Sequence, residues 1–188
     1  MIALPLRLFE CIQTRFDNAI MPLAGPSKET NVLSLFGLNG RVAVVTGGTK
    51  AIGWEASKAI AEAGADVAIV YTSYPDPEAR IADIKDLGVK CRAYKSDTSD
   101  AKTISDTLDQ IVKDFGKIDI VIANEGICKH TEALEYTVDY CLKETNVNIN
   151  GNFYTAQAAG RIFRRQGHGN LLFTTSISGK SSAMPSSV

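Results

Sequence analysis

Residues Thr46-Gly47-Gly48-Thr49-Lys50-Ala51-Ile52-Gly53 form a glycine-rich turn between an apolar run, Val42-Ala43-Val44-Val45, and a helical pattern that opens near Trp54. No other segment narrows the fold as much. Glycine lets the backbone take positive φ and come close to a ligand, and the amides at a helix start present partial positive charge. Placed between a strand and a helix, such a turn suits the diphosphate of a dinucleotide. The two residues after the turn exclude the competing phosphate loop. Gly48 to Gly53 satisfies G-x-x-x-x-G, but Trp54-Glu55 stand where a nucleoside triphosphate loop needs Lys and Ser/Thr.

Beyond Leu38 the chain alternates apolar runs with helical patterns, which predicts a parallel sheet covered by helices on both faces. Strands are expected at 42–45, 66–71, 90–94, 118–123 and 170–174, and helices at 54–63, 77–87, 101–115 and 138–166. Gly64, Gly88, Gly116 and Gly167 each follow a helical stretch, where a left-handed residue ends the helix.

The chain has 188 residues, 45% of them hydrophobic, enough for one core and one main domain spanning 37–188. Twenty basic residues against 21 acidic ones leave no cationic run to follow a nucleic-acid backbone or an anionic membrane. Neither is an expected partner. Cys11, Cys91, Cys128 and Cys141 are scattered without a C-x-x-C pair, so we expect reduced thiols in a cytoplasmic protein or small core residues, with no metal site.

Residues 1–36 differ from the rest. The stretch from Met1 to Ile20 is mildly apolar but broken by Arg7, Glu10, Arg15 and Asp17, and Pro22, Gly25 and Pro26 come after it. That is too short and too charged for a membrane span and lacks the apolar centre of a secretory signal. A loosely amphipathic helix, a weak organellar address and a frayed arm all fit. The expectation is a flexible extension, with Met21 as an alternative start.

The end of the second strand discriminates between cofactors. An acid there would bind the ribose 2′-hydroxyl of NAD, but the chain reads Ile69-Val70-Tyr71-Thr72-Ser73. Lys50 with the hydroxyls of Thr72 and Ser73 suits the 2′-phosphate of NADP(H), which attracts cations and donors and repels carboxylates. The alternative for Lys50 is a solvated surface lysine.

The turn, the segment Ala123-Asn124-Glu125-Gly126, Asn148 in Val147-Asn148-Ile149-Asn150-Gly151, and Ser176 in Ser176-Ile177-Ser178-Gly179 succeed one another in an order and spacing that resemble the short-chain dehydrogenase/reductase family. The likeness runs from about Leu38 to the end. Residues from Arg161 to Gly169 look most like the NADP(H)-dependent sorbose/xylulose reductase branch.

The resemblance implies a Rossmann-type, doubly wound parallel sheet in the order 3-2-1-4-5. It implies that Thr46, Gly47, Thr49, Lys50, Ile52, Gly53, Thr72, Ser73, Asn124 and Gly126 surround the cofactor, and that Asp97 accepts a hydrogen bond from the adenine amino group. Asn148 would organise a relay water through its backbone carbonyl, and Ser176 would hydrogen-bond the substrate carbonyl oxygen. On the residues alone, Asp97 equally suits a turn cap with Ser96 and Thr98, and Ser176 is one serine in a Ser/Thr-rich loop.

The family's reaction is hydride transfer between a nicotinamide and a carbonyl or alcohol carbon of a small molecule. Its proton comes from a tyrosine whose pKa is lowered by a lysine four residues on. By resemblance this pair falls about a dozen residues after the motif serine, just beyond Val188. Tyr71, Tyr74, Tyr94, Tyr136, Tyr140 and Tyr154 lie on other segments, and His130 and His168 read as loop residues. The sequence as it stands is therefore expected to lack its acid, along with later strands and much of the family's homo-oligomer interface, and to leave the fifth strand as an edge.

Two departures stand inside the motifs. Ala51 occupies the turn's second glycine position, where a Cβ disfavours the required backbone angle. Glu125 replaces a small residue and brings a carboxylate toward the cofactor unless it turns outward. An NADP(H)-dependent carbonyl reductase and a noncatalytic dinucleotide-binding or interaction protein, a truncated isoform or a pseudoenzyme, both remain open.

Overall fold

The computed structural model describes residues 31–176. The chain divides into two units, Met1–Phe36 and Gly37–Val188. Expectations for residues 1–30 lie outside the described residues. Of the first unit, the described part carries a 3₁₀ segment, Val32–Phe36.

The second unit is built on five parallel strands: β1 (Val42–Thr46), β2 (Asp66–Tyr71), β3 (Cys91–Lys95), β4 (Ile120–Ala123) and β5 (Asn170–Phe173). Their order is β3-β2-β1-β4-β5, as expected for a doubly wound sheet. β1 is buried along its whole length between β2 and β4, with Val44 beside Ala68 and Val121. A strand covered on both faces must be apolar throughout, and Val42-Ala43-Val44-Val45 is.

The helices are α1 (Ala51–Glu62), α2 (Pro77–Lys85), α3 (Ala101–Phe115), α4 (Val138–Thr145) and α5 (Asn152–Gln166). Strand alternation divides the core in two. Val44, Ala68, Val70 and Val121 meet Ile104, Leu108 and Ile111 of α3 and Ala158, Ala159 and Ile162 of α5. Val67 and Ile69 point the other way, to Trp54 and Ala61 of α1 and Ile81 and Ile84 of α2. The 104, 108, 111 spacing is one helical stripe, which is why α3 sits with a single face on the sheet.

Local chemistry sets the helix ends. Asp76 caps α2 ahead of Pro77, and the Asp100 carboxylate accepts from the Thr103 amide at 2.6 Å to start α3. Gly64, Gly88, Gly116 and Gly167 all have positive φ, between 81° and 97°, as their places after helices require.

Several boundaries shift by one to three residues from the sequence-based expectation, and one departure changes the element. α1 begins at Ala51 rather than Trp54, because the Trp54 amide already reaches back to the Lys50 carbonyl at 3.1 Å. β4 begins at Ile120 rather than residue 118. The Ile118 N–H donates to Gln166 Oε1 at 3.1 Å, and Gln166 Nε2 donates to the Ile118 carbonyl at 2.8 Å, so a side chain takes both groups. The stretch expected as one helix over 138–166 contains a π-helical segment, Asn146–Gly151.

Candidate functional site

The carboxyl ends of β1, β2, β4 and β5 open into a crevice of about 350 Å³, the position where open parallel sheets bind ligands. Its wall includes Gly47, Thr49, Lys50, Ile52, Thr72, Ser73, Asn124 and Gly126, all expected from the sequence, together with Ala51 and Glu125. Tyr71, Ile127 and Thr174 also line it, and sequence reasoning missed them. Each stands at or just past the carboxyl end of a strand, and that topological position was the available signal.

The turn adopts the geometry its glycines suggest. Gly47 has φ of 63°, and a Cβ there would come within 3.2 Å of both Asn124 Nδ2 and Glu125 Oε2. A Cβ on Gly53 would collide with the Gly47 carbonyl oxygen, so glycine at 53 lets α1 sit directly against the turn. Ala51 has φ of 44°, a left-handed value that costs a residue with a Cβ roughly 1–2 kcal/mol. The amides of residues 51–53 precede the first α-helical bond of α1 and stand at the positive end of its dipole.

Thr46 and Gly53 support the crevice from beneath rather than lining it. Thr46 is fully buried, and its Oγ1 accepts from the amides of Asn124 at 2.9 Å and Glu125 at 3.0 Å. Asn124 Nδ2 donates to the Thr46 carbonyl at 3.1 Å, so β1 and the loop after β4 are locked together.

Lys50 Nζ donates to the Ser73 carbonyl at 3.2 Å and lies 5.7 Å from the Tyr74 ring centre. Its charge is thus held over the end of β2. Thr72 lines the crevice, but its hydroxyl donates to the Ser96 carbonyl at 3.0 Å, leaving the Ser73 hydroxyl and the remaining N–H groups of Lys50 to meet an anion.

A second crevice of about 270 Å³ adjoins the first and shares Thr72, Ser73, Glu125 and Ile127 with it. Asp97 lines this one. Its Oδ1 accepts from the amide and hydroxyl of Ser99, at 2.9 and 2.7 Å, so one carboxylate oxygen is engaged in a local turn.

Asn148 lies in the π-helical segment and lines a separate depression with Tyr136, Cys141 and Glu144. Its side chain is committed to Ile127, and its carbonyl accepts from Asn152 Nδ2 at 2.7 Å. π-Helical insertions frequently mark functional positions. Ser176 is exposed, two residues beyond Thr174 of the crevice wall. His168 sits 3.2 Å from Asp119 at the opposite end of the strands and takes no part in the crevice.

Glu125 turns inward. Burial first, and then the charge of Asp97, pushes its carboxyl above the usual carboxylate range, while the Gly47 amide and Lys50 pull it back in part. Its Oε2 is buried without a hydrogen-bond partner. Apart from this carboxyl, the cradle of turn amides with Lys50 and Ser73 fits a phosphorylated dinucleotide. No group of three His, Cys, Asp or Glu side chains among the described residues forms a metal cluster.

A family model for short chain dehydrogenases matches residues 41–188. Over 163 residues the chain is 42% identical to a sorbose reductase of Candida albicans, a match covering 85% of this chain and 57% of that protein. It is 40% identical over 168 residues to a probable NADP-dependent mannitol dehydrogenase of Yarrowia lipolytica, covering 85% and 58%. The solved NADPH-dependent 3-quinuclidinone reductase of Rhodotorula rubra superposes with a TM-score of 0.77 at 37% identity, covering 86% of this chain and 61% of that one. The chain thus spans less than two thirds of the length of each. Sheet order, glycine turn and sequence likeness agree: the chain belongs to the short-chain dehydrogenase/reductase family, among its sorbose reductase-like members.

Proposed function

We propose that the protein is an NADP(H)-dependent oxidoreductase that interconverts a carbonyl and an alcohol on a small sugar or polyol. The observation that carries this reading is the end of β2, where Tyr71-Thr72-Ser73 offers no acid and Lys50 is anchored on the Ser73 carbonyl. A carboxylate at that position favours NAD, and a lysine with a free hydroxyl favours a 2′-phosphate. The NADP-dependent and sugar- or polyol-directed names of the relatives support it.

When bound, the nicotinamide supplies or accepts the hydride. The chain's own residues hold and orient. The amides of residues 51–53 and the positive end of α1 face the diphosphate, Lys50 and Ser73 take the 2′-phosphate, and Asp97 accepts from the adenine amino group. Ser176 donates to the substrate carbonyl oxygen. The Asn148 carbonyl holds a relay water.

A noncatalytic dinucleotide-binding protein is the second reading, favoured by the strained Ala51 and the inward Glu125. Fluorescence titration with NADPH and NADH, then NADPH oxidation against ketoses such as sorbose, separates the two. Tighter NADPH than NADH binding, reversed by Lys50→Ala, together with ketose-dependent oxidation supports the enzyme. Binding without oxidation supports the second reading, and no binding of either nucleotide refutes both. We further propose a cytoplasmic protein. Among the described residues no helix is long and apolar enough to cross a membrane.

A further inference from the structure

Among the described residues, Glu125 is the one carboxyl group that lines both crevices at the carboxyl ends of the strands. Its backbone is held in place and its side chain lies against Gly47. The amides of Asn124 and Glu125 are both held by Thr46 Oγ1. The charged groups around it are Lys50 from the turn, Asp97 from the loop after β3 and Lys143 from α4. Oε2 has neither solvent nor a partner, an environment that a neutral carboxylic acid tolerates far better than a carboxylate.

We propose that Glu125 gates the dinucleotide crevice by its own protonation: the neutral acid admits a phosphorylated dinucleotide beside Lys50 and Ser73, and the ionised carboxylate repels it. The inference rests on the NADP(H) reading above. Binding at a pH between the Glu125 pKa of the free protein and that of the bound protein then takes a proton from solvent onto its carboxyl. Burial and Asp97 already bias the carboxyl in that direction. Since the bound state favours the neutral acid, affinity is greatest at low pH and falls as pH rises through that range.

The test is fluorescence titration of wild type, Glu125→Gln and Glu125→Ala with NADPH and NADH between about pH 5.5 and about pH 8. The ratio of wild-type to Gln-variant Kd for NADPH should be smallest at the acid end. It should rise about tenfold toward the basic end, the effect of a one-unit displacement of the Glu125 pKa. The 2′-phosphate itself titrates near about pH 6, but equally in both proteins, so the ratio isolates Glu125. NADH, without that phosphate, should show a smaller rise, and Glu125→Ala should follow Glu125→Gln.

Parallel pH profiles for wild type and variants that all bind NADPH overturn the gate and leave the NADP(H) reading intact. No NADPH binding by any of them overturns both. Calorimetry of the wild type across the same pH range, in buffers of different ionisation enthalpy, needs no variant. Proton uptake on NADPH binding supports the gate, and none overturns it.

Discussion

The side chain of Asn148 closes a two-way bridge with the main chain of Ile127: the Ile127 amide donates to Oδ1 and Nδ2 donates to the Ile127 carbonyl, each at 2.8 Å. The bridge joins the π-helical segment to the loop after β4, which lines the crevice. Asn148→Ala leaves both backbone groups of Ile127 unpaired and should destabilise the protein by about 2 kcal/mol, measured by urea denaturation. Asn148→Asp keeps the acceptor but sets a charged oxygen against the Ile127 carbonyl, a repulsion that Ala lacks, so its cost should be no smaller. Wild-type stability in the Ala variant would show that the bridge is not holding the loop.

Ala51 is strained, and removing its Cβ should help. Ala51→Gly should raise stability by roughly 0.5–1 kcal/mol, the left-handed penalty less the entropy that glycine adds to the unfolded chain. A change of this size is visible in the denaturation midpoint. The same variant should bind NADPH more tightly, whereas Ala51→Val should lose both stability and binding.

Gly53 is required for lack of space, since its φ is not positive. A Cβ there would meet the Gly47 carbonyl oxygen and stand 2.5 Å from Asn124 Nδ2. Gly53→Ala must push α1 away from the turn, at a cost of about 2 kcal/mol. NADPH titration should show weakened binding in the fraction that still folds by circular dichroism.

Asp119 is the electrostatic anchor at the other end of the sheet. Its side chain, 3% exposed, accepts from the Val42 amide at 2.9 Å and Arg41 at 3.0 Å and pairs with Lys117 at 3.0 Å. Burial alone would raise its pKa, but Lys117, the Val42 amide and Arg41 outweigh that and hold the carboxyl below the ordinary aspartate range. A depressed folded-state value adds stability that is present above the unfolded pKa and is lost as pH falls through the folded one. Asp119→Ala should therefore cost about 3 kcal/mol near neutral pH and flatten the acid limb of the stability curve. An unchanged acid limb would remove Asp119 as its source.

Much of this architecture is legible along the chain because its signals are local. An apolar run such as Val42-Ala43-Val44-Val45 shows a strand covered on both faces, and the glycines at 64, 88, 116 and 167 mark helix ends by the left-handed backbone they adopt. Most of the crevice wall comes from the same logic, because parallel strands gather their carboxyl-end loops at one edge. Other features have no local signature. The apolar pattern over 138–166 does not reveal the π-helical segment, in which Asn148 bonds to a loop 21 residues earlier. The start of β4 depends on Gln166, 48 residues away, satisfying Ile118.

The sequence by itself determined a dinucleotide-type turn, five strands in a parallel sheet and a β2 end suited to a 2′-phosphate. Each is a matter of residue type at short spacing. Only the tertiary structure decided that Thr46 and Gly53 lie under the crevice, that the Thr72 hydroxyl is spent on Ser96, and that Glu125 points inward against Gly47. Those outcomes depend on which distant groups fold into hydrogen-bonding reach and on how much water burial removes, quantities that residue spacing along a chain does not carry.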